Sequence, residues 1–499
     1  MTAHILTIDD ATLDKYVNYL KYQYSWNSDP IGFMIENASS DPKVTRIDKN
    51  ENEFNPDPDF FYNHELFQWP KCLLSEAGVQ TDGDDYIGTG LDITGASGDV
   101  MAYIPNGQYM YRYEEDADVQ IYKWAPFYSN HRGFDYHPHC YAGGGTLHDH
   151  FYVGVYIAGL KDDNGTLKFN SCTGVQPWTG GEMYSLAFTS GSTEFTVGET
   201  LTGATSTAYG IVVDYNVSSG TWAGADAAGT VYLRQTSGTF TGEDLNGSVA
   251  GSDCASISGT ATSLSLTIDN ALQYAANKGA GWTISDIYSL SWIQGLLYTQ
   301  WGTRNSQTAI GKGIVDLPNG AGYAGLLNGA NNINLNIDSH GNGMGDGTDG
   351  LTPVSCNNLN DLWGECWEFI AGINLYNSDG SYRVTKQGGT GVLAGTLPEG
   401  SYETGAGTIP LVDGYFSTVQ TDPLGGILFI PATVGDVNSG DTKGFCDYLY
   451  SPRYNPSSVL SGGSWAFGLK AGVGYRSSSY MPSISYQTIG ARLKYIPQS

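Results

Sequence analysis

Five of the eight histidines in this 499-residue chain fall within the segment HRGFDYHPHCYAGGGTLHDH: His131, His137, His139, His148 and His150. Imidazoles two residues apart on a strand face the same side, so such a set could hold a metal ion, and three copies around a trimer axis could supply six ligands. The plainer account puts His137 and His139 on either side of Pro138 in a loop, with the other three facing solvent, and the expectation is no metal. The segment DSHGNGMGDGTDG poses the same choice. Asp338, Asn342, Asp346 and Asp349 stand near positions one, five, nine and twelve of a calcium-hand loop, with Gly343 at its turn. His340 at position three and an aspartate in place of glutamate at position twelve break the pattern, and no clear exiting helix follows. The default is an acidic, glycine-rich surface loop.

The segment YRSSSYMPSISYQ, from Tyr475 to Gln487, offers a different chemistry. Tyrosine and serine dominate it, the mixture by which antibody paratopes combine large, low-entropy aromatic contacts with adaptable hydrogen bonds. Tyr475, Arg476, Tyr480 and Tyr486 are the candidate ligand-binding residues, with Trp363 and Trp367 supporting the loops beneath. The bland alternative is an ordinary polar loop before the last strand. No Ser/His/Asp or paired-carboxylate arrangement is marked in the sequence, so the expectation is no catalytic residue and no cofactor.

Composition narrows the partners. With 51 acidic against 23 basic residues and a formal net charge of -28, the chain would repel nucleic acid and anionic lipid, which require phosphate neutralisation. Met1 to Asp10 lacks the pattern of a secretory signal, and no apolar run approaches the length needed to cross a bilayer. Seven cysteines without paired CxxC spacing argue against a disulfide framework or a zinc finger and suggest buried thiols in a reducing compartment. Sixty-seven glycines and 35 tyrosines with only 15% charged residues imply many turns and an aromatic, weakly charged body.

The elements that must position these residues are mostly short strands. Asp9 or Asp10 can cap an amphipathic helix carrying Leu13, Tyr16, Val17, Leu20 and Tyr24. In GDVMAYIPNGQYMYRYEED, Val100, Tyr103 and Ile104 begin a strand. Between Ser190 and Ser263 the texture turns to Gly, Ser, Thr and Ala, and FTVGETLTG from Phe195 is echoed by FTGEDLNG from Phe240, which suggests a separate small β module. The strongest helix signal follows: Ser285 as N-cap, a stripe of Ile287, Leu290, Ile293, Leu297 and Trp301, and Gly302 as the stop. The closing GARLKYIP reads as an alternating strand with Ala491, Leu493 and Tyr495 on one face.

GDVMAYIP, YVGVYIAG, KGAGWTISDIYSLSWIQGLLYTQWGTRNSQTAIGKG, LWGECWEFIAGINL and GGSWAFGLKAGVGY with IGARL occur in that order from about Asp99 to Tyr495. In this the chain resembles phage minor structural and tail-fibre proteins with a C-type-lectin-like fold. The resemblance extends to the variable proteins of diversity-generating retroelements and, more distantly, to formylglycine-generating enzymes. It implies an α+β, C-type-lectin-like body (46–189 plus 264–499), an N-terminal helix and arm (1–45) and an inserted small all-β domain (190–263). The ending maps onto Gly462, Gly463, Ser464 and Trp465, then Arg476, then Gly490, Ala491 and Arg492, with Trp465 expected in the core. The function implied is non-enzymatic: a virion adhesin, as a fibre or receptor-binding protein, contacting other virion proteins and a host cell-surface glycan or protein, with a homotrimer as the first expectation. The alternative is a structural decoration or fibre protein whose lectin-like face contacts virion proteins. An enzyme of the formylglycine-generating type would need a reactive cysteine pair, and Cys446 stands alone near the final motif.

Overall fold

Ile287–Trp301, the most strongly marked helix, runs through the middle of the body. Its N-cap is Asp286, one residue after the expected Ser285: the Asp286 carboxylate accepts from Ser289 N, and the Ser289 hydroxyl reciprocates at the Asp286 backbone N–H. Ser285 is instead tied into extended structure, donating its backbone N–H to Arg492 O and accepting from Ala371 N. Gly302 ends the helix in the left-handed region at φ 68°, which a residue with a Cβ adopts only at a cost. Rather than one apolar stripe, the helix is buried on all sides, with Ser289, Ser291 and Gln294 as fully covered as Leu296 and Leu297. A helix enclosed by sheets has no solvent face to which polar residues could be assigned.

The structure, a computed structural model, describes residues 28–37, 43–129, 131–141, 146–181, 183–317, 335–345, 350–376, 379–386, 402–435 and 446–498. The expected helix around Leu13 to Tyr24 and the calcium-loop candidates Asp346 and Asp349 lie outside them. The architecture is mostly β, with short helices beside the central one. Three large sheets build most of the body, beside a four-stranded sheet within 335–360 and the strand pair Gly159–Asp163 and Thr166–Asn170. The first has five antiparallel strands in the order Thr45–Ile47, Ile31–Glu36, Val119–Pro126, Gly107–Glu114 and Asp135–Tyr136. The second has six, ordered Trp282–Ile284, Leu493–Tyr495, His150–Gly154, Asp99–Pro105, Lys71–Leu74 and Gln80–Asp82. The third, of nine strands, centres on Trp367–Leu375, Ser457–Gly462 and Gly472–Tyr480.

Two expected boundaries move. Residues 28–37, expected in the N-terminal helix and arm (1–45), belong to the body, because Ile31, Phe33 and Ile35 are part of the main core and their strand pairs with Val119–Pro126. The inserted module begins upstream of Ser190: its first strand is Met183–Gly191, which pairs with Ala227–Ser237 on one side and Gly251–Ile257 on the other. Those pairings close a ring of strands around a core of its own, in which Phe195, Leu201, Phe240 and Leu245 from the two echoed segments meet. Closure removes the exposed edges that so glycine-rich a sheet would otherwise present. The barrel is docked, not tethered: Tyr232 donates to Asp162 at 2.6 Å, and Val213 and Tyr232 pack with Leu160 and Leu266.

The C-terminal strand Leu493–Tyr495 pairs with Trp282–Ile284 and His150–Gly154, so chain end and chain middle share one sheet. Both of its faces are covered: Lys494, expected outward by alternation, is buried in an ion pair with Asp286.

Candidate functional site

The strand Gly472–Tyr480 sits inside the nine-stranded sheet, between Ser457–Gly462 and Tyr448–Tyr450. Its first seven residues are buried, and only Ser479 and Tyr480 reach toward solvent before Met481. This divides the four candidate binding residues. Tyr480 is half-buried and Tyr486 is 47% exposed. Tyr475 is fully buried and Arg476 is 3% exposed, so neither belongs to an outer face. Burial pushes the Tyr475 phenol well above its usual range. Arg476 is an internal strut: it donates to the carbonyls of Val473 and Tyr475 and to Gln294 Oε1 on the central helix at 2.6 Å, and burial lowers its pKa to about 10. A strand with neighbours on both edges and packing on both faces has no free side, which period-two alternation alone does not reveal.

Around Tyr480 the surface folds into a cleft of about 290 Å³ walled by Trp367, Tyr450, Phe467, Ser479 and Tyr480, with Arg453 among its lining residues. Trp367 is its floor: its ring lies 4.8 Å from Phe467 and 5.5 Å from Tyr480. Arg453 is held by Asp413 at 2.7 Å, and Lys470 donates to the Tyr450 hydroxyl at 3.1 Å. Burial first, and then the neighbouring phenols of Tyr486 and Tyr450, raises the pKa of Tyr480. The cleft thus offers flat aromatic faces, neutral hydroxyls and a held guanidinium, which suits a ligand with apolar ring faces and hydroxyl edges. Trp367, 5% exposed, lies against the cleft, whereas Trp363 is buried deeper, its indole N–H donating to the carbonyls of Gly311 and Lys312. Sequence reasoning missed Tyr450, Arg453 and Phe467. The aromatic run YLYSPRY, from Tyr448, was the available signal for the first two.

The GGSW segment is structural. Gly462 and Gly463 have φ values of 87° and 84°, and a Cβ on Gly463 would come within 2.7 Å of Ala471 Cβ. Trp465 is 6% exposed and packs with Ile157, Ile314 and Cys366, while the Ser464 side chain is buried beside it. Arg492 is the knot of the body, bonding Glu368 and the carbonyls of Gly154, Val155, Asn360 and Asp361.

The histidine segment does not converge on one point. His137 and His139 are buried in and beside the short turn Pro138–Tyr141 instead of flanking Pro138 in an open loop. Burial drives His137 down to about 3 and His139 well below the ordinary imidazole range, so both are neutral. His131, His148 and His150 are half-buried rather than solvent-facing; His150 bonds Asp149 at 2.6 Å and stacks on Tyr103. Among the described residues no group of three or more His, Cys, Asp or Glu side chains is placed to hold a metal ion. Asp338 caps a hairpin turn, accepting from the backbone of His340 and Asn342, and Gly343 starts the returning strand. All seven cysteines, Cys446 included, are buried. Among the described residues no helix is long and apolar enough to cross a membrane. No family model matches the chain, and no curated protein matches it.

Proposed function

We propose that the chain is a virion adhesin of a tailed bacteriophage, a fibre or receptor-binding protein with a C-type-lectin-like body that binds a bacterial surface glycan or protein without catalysis. The observation that carries the reading is the aromatic cleft of Trp367, Tyr450, Phe467 and Tyr480, with Tyr486 close by on the following loop. Pyranose rings present flat C–H faces that stack on such side chains, and a planar guanidinium reads hydroxyl or carboxylate edges. Two of its lining residues, Trp367 and Phe467, come from the segments that carry the resemblance to phage fibre proteins, Phe467 just after the GGSW turn. Its walls rest on sheet strands, which keeps the site rigid while the loop around Tyr486 is free to vary.

The test is the double variant Tyr480→Ala/Tyr486→Ala. Aromatic anchors at binding sites cost about 2 kcal/mol or more each when truncated, so adsorption to host cells falls by well over tenfold while assembly and melting temperature stay near the parent's. Normal adsorption by the variant rejects this cleft as the receptor site. Failure to assemble into particles transfers support to the alternative, a structural decoration or fibre protein whose aromatic face contacts other virion proteins.

A further inference from the structure

A second and larger cleft, of about 570 Å³, shares no residue with the first. It opens where the turn Glu65–Phe67, the strand Asp99–Pro105 and the acidic loop after Gln80 meet Asp149. Its walls are aromatic: Tyr86, Tyr103, Phe127 and Tyr128, the last 62% exposed. Its polar groups are unbalanced, with Glu65, Asp82, Asp84, Asp85 and Asp149 facing a single lysine, Lys71.

Most of these acids are already engaged in the fold. Asp85 accepts from Thr89, Asp82 from Gln80, and Asp149 from His150 and Tyr128, the hydrogen bond from His150 holding Asp149 down at about 2. Apart from Asp84, which is exposed, two groups stand out because they are not. The Glu65 carboxyl, partly buried, makes no hydrogen bond or ion pair among the described residues, and burial together with the Asp149 charge raises its pKa. The Tyr103 ring is covered by His150 at 4.7 Å and Tyr152 at 5.7 Å; its hydroxyl, which feels Asp149, Glu65 and Tyr128, also bonds nothing among the described residues. A partly buried carboxyl and a partly buried phenol, both without partners among the described residues and both lining one cavity, offer a ligand an acceptor and a donor–acceptor. The carboxylate excess selects among such ligands: it favours cations and repels anions, and enclosure strengthens both effects.

We propose that this cleft is a second binding site, for an oligosaccharide carrying free amino groups, with Glu65 taking the ammonium, Tyr103 a ring hydroxyl, and Tyr128 and Phe127 the sugar faces. The site is independent of the Trp367 cleft, so its failure leaves the first reading untouched.

The test uses the full chain and three probes: a glucosamine hexamer, its fully N-acetylated counterpart and a galacturonic acid hexamer, titrated calorimetrically at pH 6 and moderate salt. The glucosamine hexamer binds, the acetylated one binds at least tenfold more weakly, and the acidic one does not bind. Glu65→Gln and Tyr103→Phe, both near-isosteric, each weaken the glucosamine hexamer by roughly tenfold or more, the effect of removing a hydrogen bond to a charged or enclosed group, with unchanged melting. A chain of net charge -28 attracts polycations indiscriminately. Binding that both variants retain in full is therefore non-specific and overturns the proposal, as does equal binding of the acetylated hexamer or any binding of the galacturonic acid hexamer.

Discussion

Replacing Arg492 by methionine tests how the body is held together. The guanidinium is buried, its side chain 1% exposed and that of its partner Glu368 6%. It donates to Glu368 from Nε and Nη2, the closest contact being 2.6 Å, and to four backbone carbonyls at 2.8 to 3.1 Å: Gly154 and Val155 through Nη1, Asn360 and Asp361 through Nη2. Three segments distant in sequence thus meet on one side chain. Removing one member of a buried pair leaves the other charge uncompensated and costs about 3–5 kcal/mol. Each orphaned carbonyl adds on the order of 1 kcal/mol where water does not reach it. Arg492→Met is therefore expected to lower the melting temperature of the body by about 6 °C or more. The paired variant Arg492→Met/Glu368→Leu removes the stranded carboxylate as well and recovers part of the loss, leaving the carbonyl contribution. Differential scanning calorimetry, with far-UV circular dichroism to check the β content, measures both. A single variant that melts within about 1 °C of the parent, or a double variant less stable than the single, refutes the clamp.

Trp465→Ala empties the pocket formed with Ile157, Ile314 and Cys366 and should cost about 3–5 kcal/mol, read from the denaturant midpoint. Excision of 183–264 with a short Gly/Ser bridge should leave a cooperatively melting body, since the barrel closes on its own core; loss of the calorimetric transition counts against its autonomy. Stability should fall as pH rises from 6.5 to 9. Burial raises Asp447 to about 8 and lifts the adjacent pair Asp361 and Glu365, so over this window the native state holds protons that the unfolded chain has released. Below about 6.5 an opposite contribution comes from His64, His137 and His139, whose depressed pKa values keep them neutral in the fold while the unfolded imidazoles take up protons, and it offsets the carboxyl contribution there. The Tm profile should then be nearly level from about pH 5 to 6 and fall above it, and a Tm that rises steadily to pH 9 contradicts the assignment. Burial also pushes the Cys72, Cys140 and Cys172 thiols up to about 12, so a thiol reagent at pH 7.5 should label the native chain slowly and the urea-unfolded chain fully.

Local signals in the sequence identified individual elements well. Asp99–Pro105 is a strand because Val, Tyr and Ile stand between turn residues, and Gly302 stops its helix because a left-handed residue is needed there. The change of texture near Ser190 marks a module with a separate core, and Trp465 is buried where the glycine pair predicts a tight turn. Each of these depends on interactions within a few residues, or on composition averaged over a segment. Which side chains reach a ligand depends on something else. Tyr475 and Tyr480 lie on one strand and look equivalent in sequence, but flanking strands and packed faces cover the first, while the strand's end leaves the second beside Trp367. Glu65, Tyr103 and Asp149 share a cleft only because the strands Asp99–Pro105 and His150–Gly154 are paired with Tyr103 opposite Tyr152. Residue type and spacing therefore determined the local elements, the acidic excess and the supply of aromatic residues. Exposure and convergence were decided by the tertiary structure, because they depend on long-range pairing partners that no local pattern encodes.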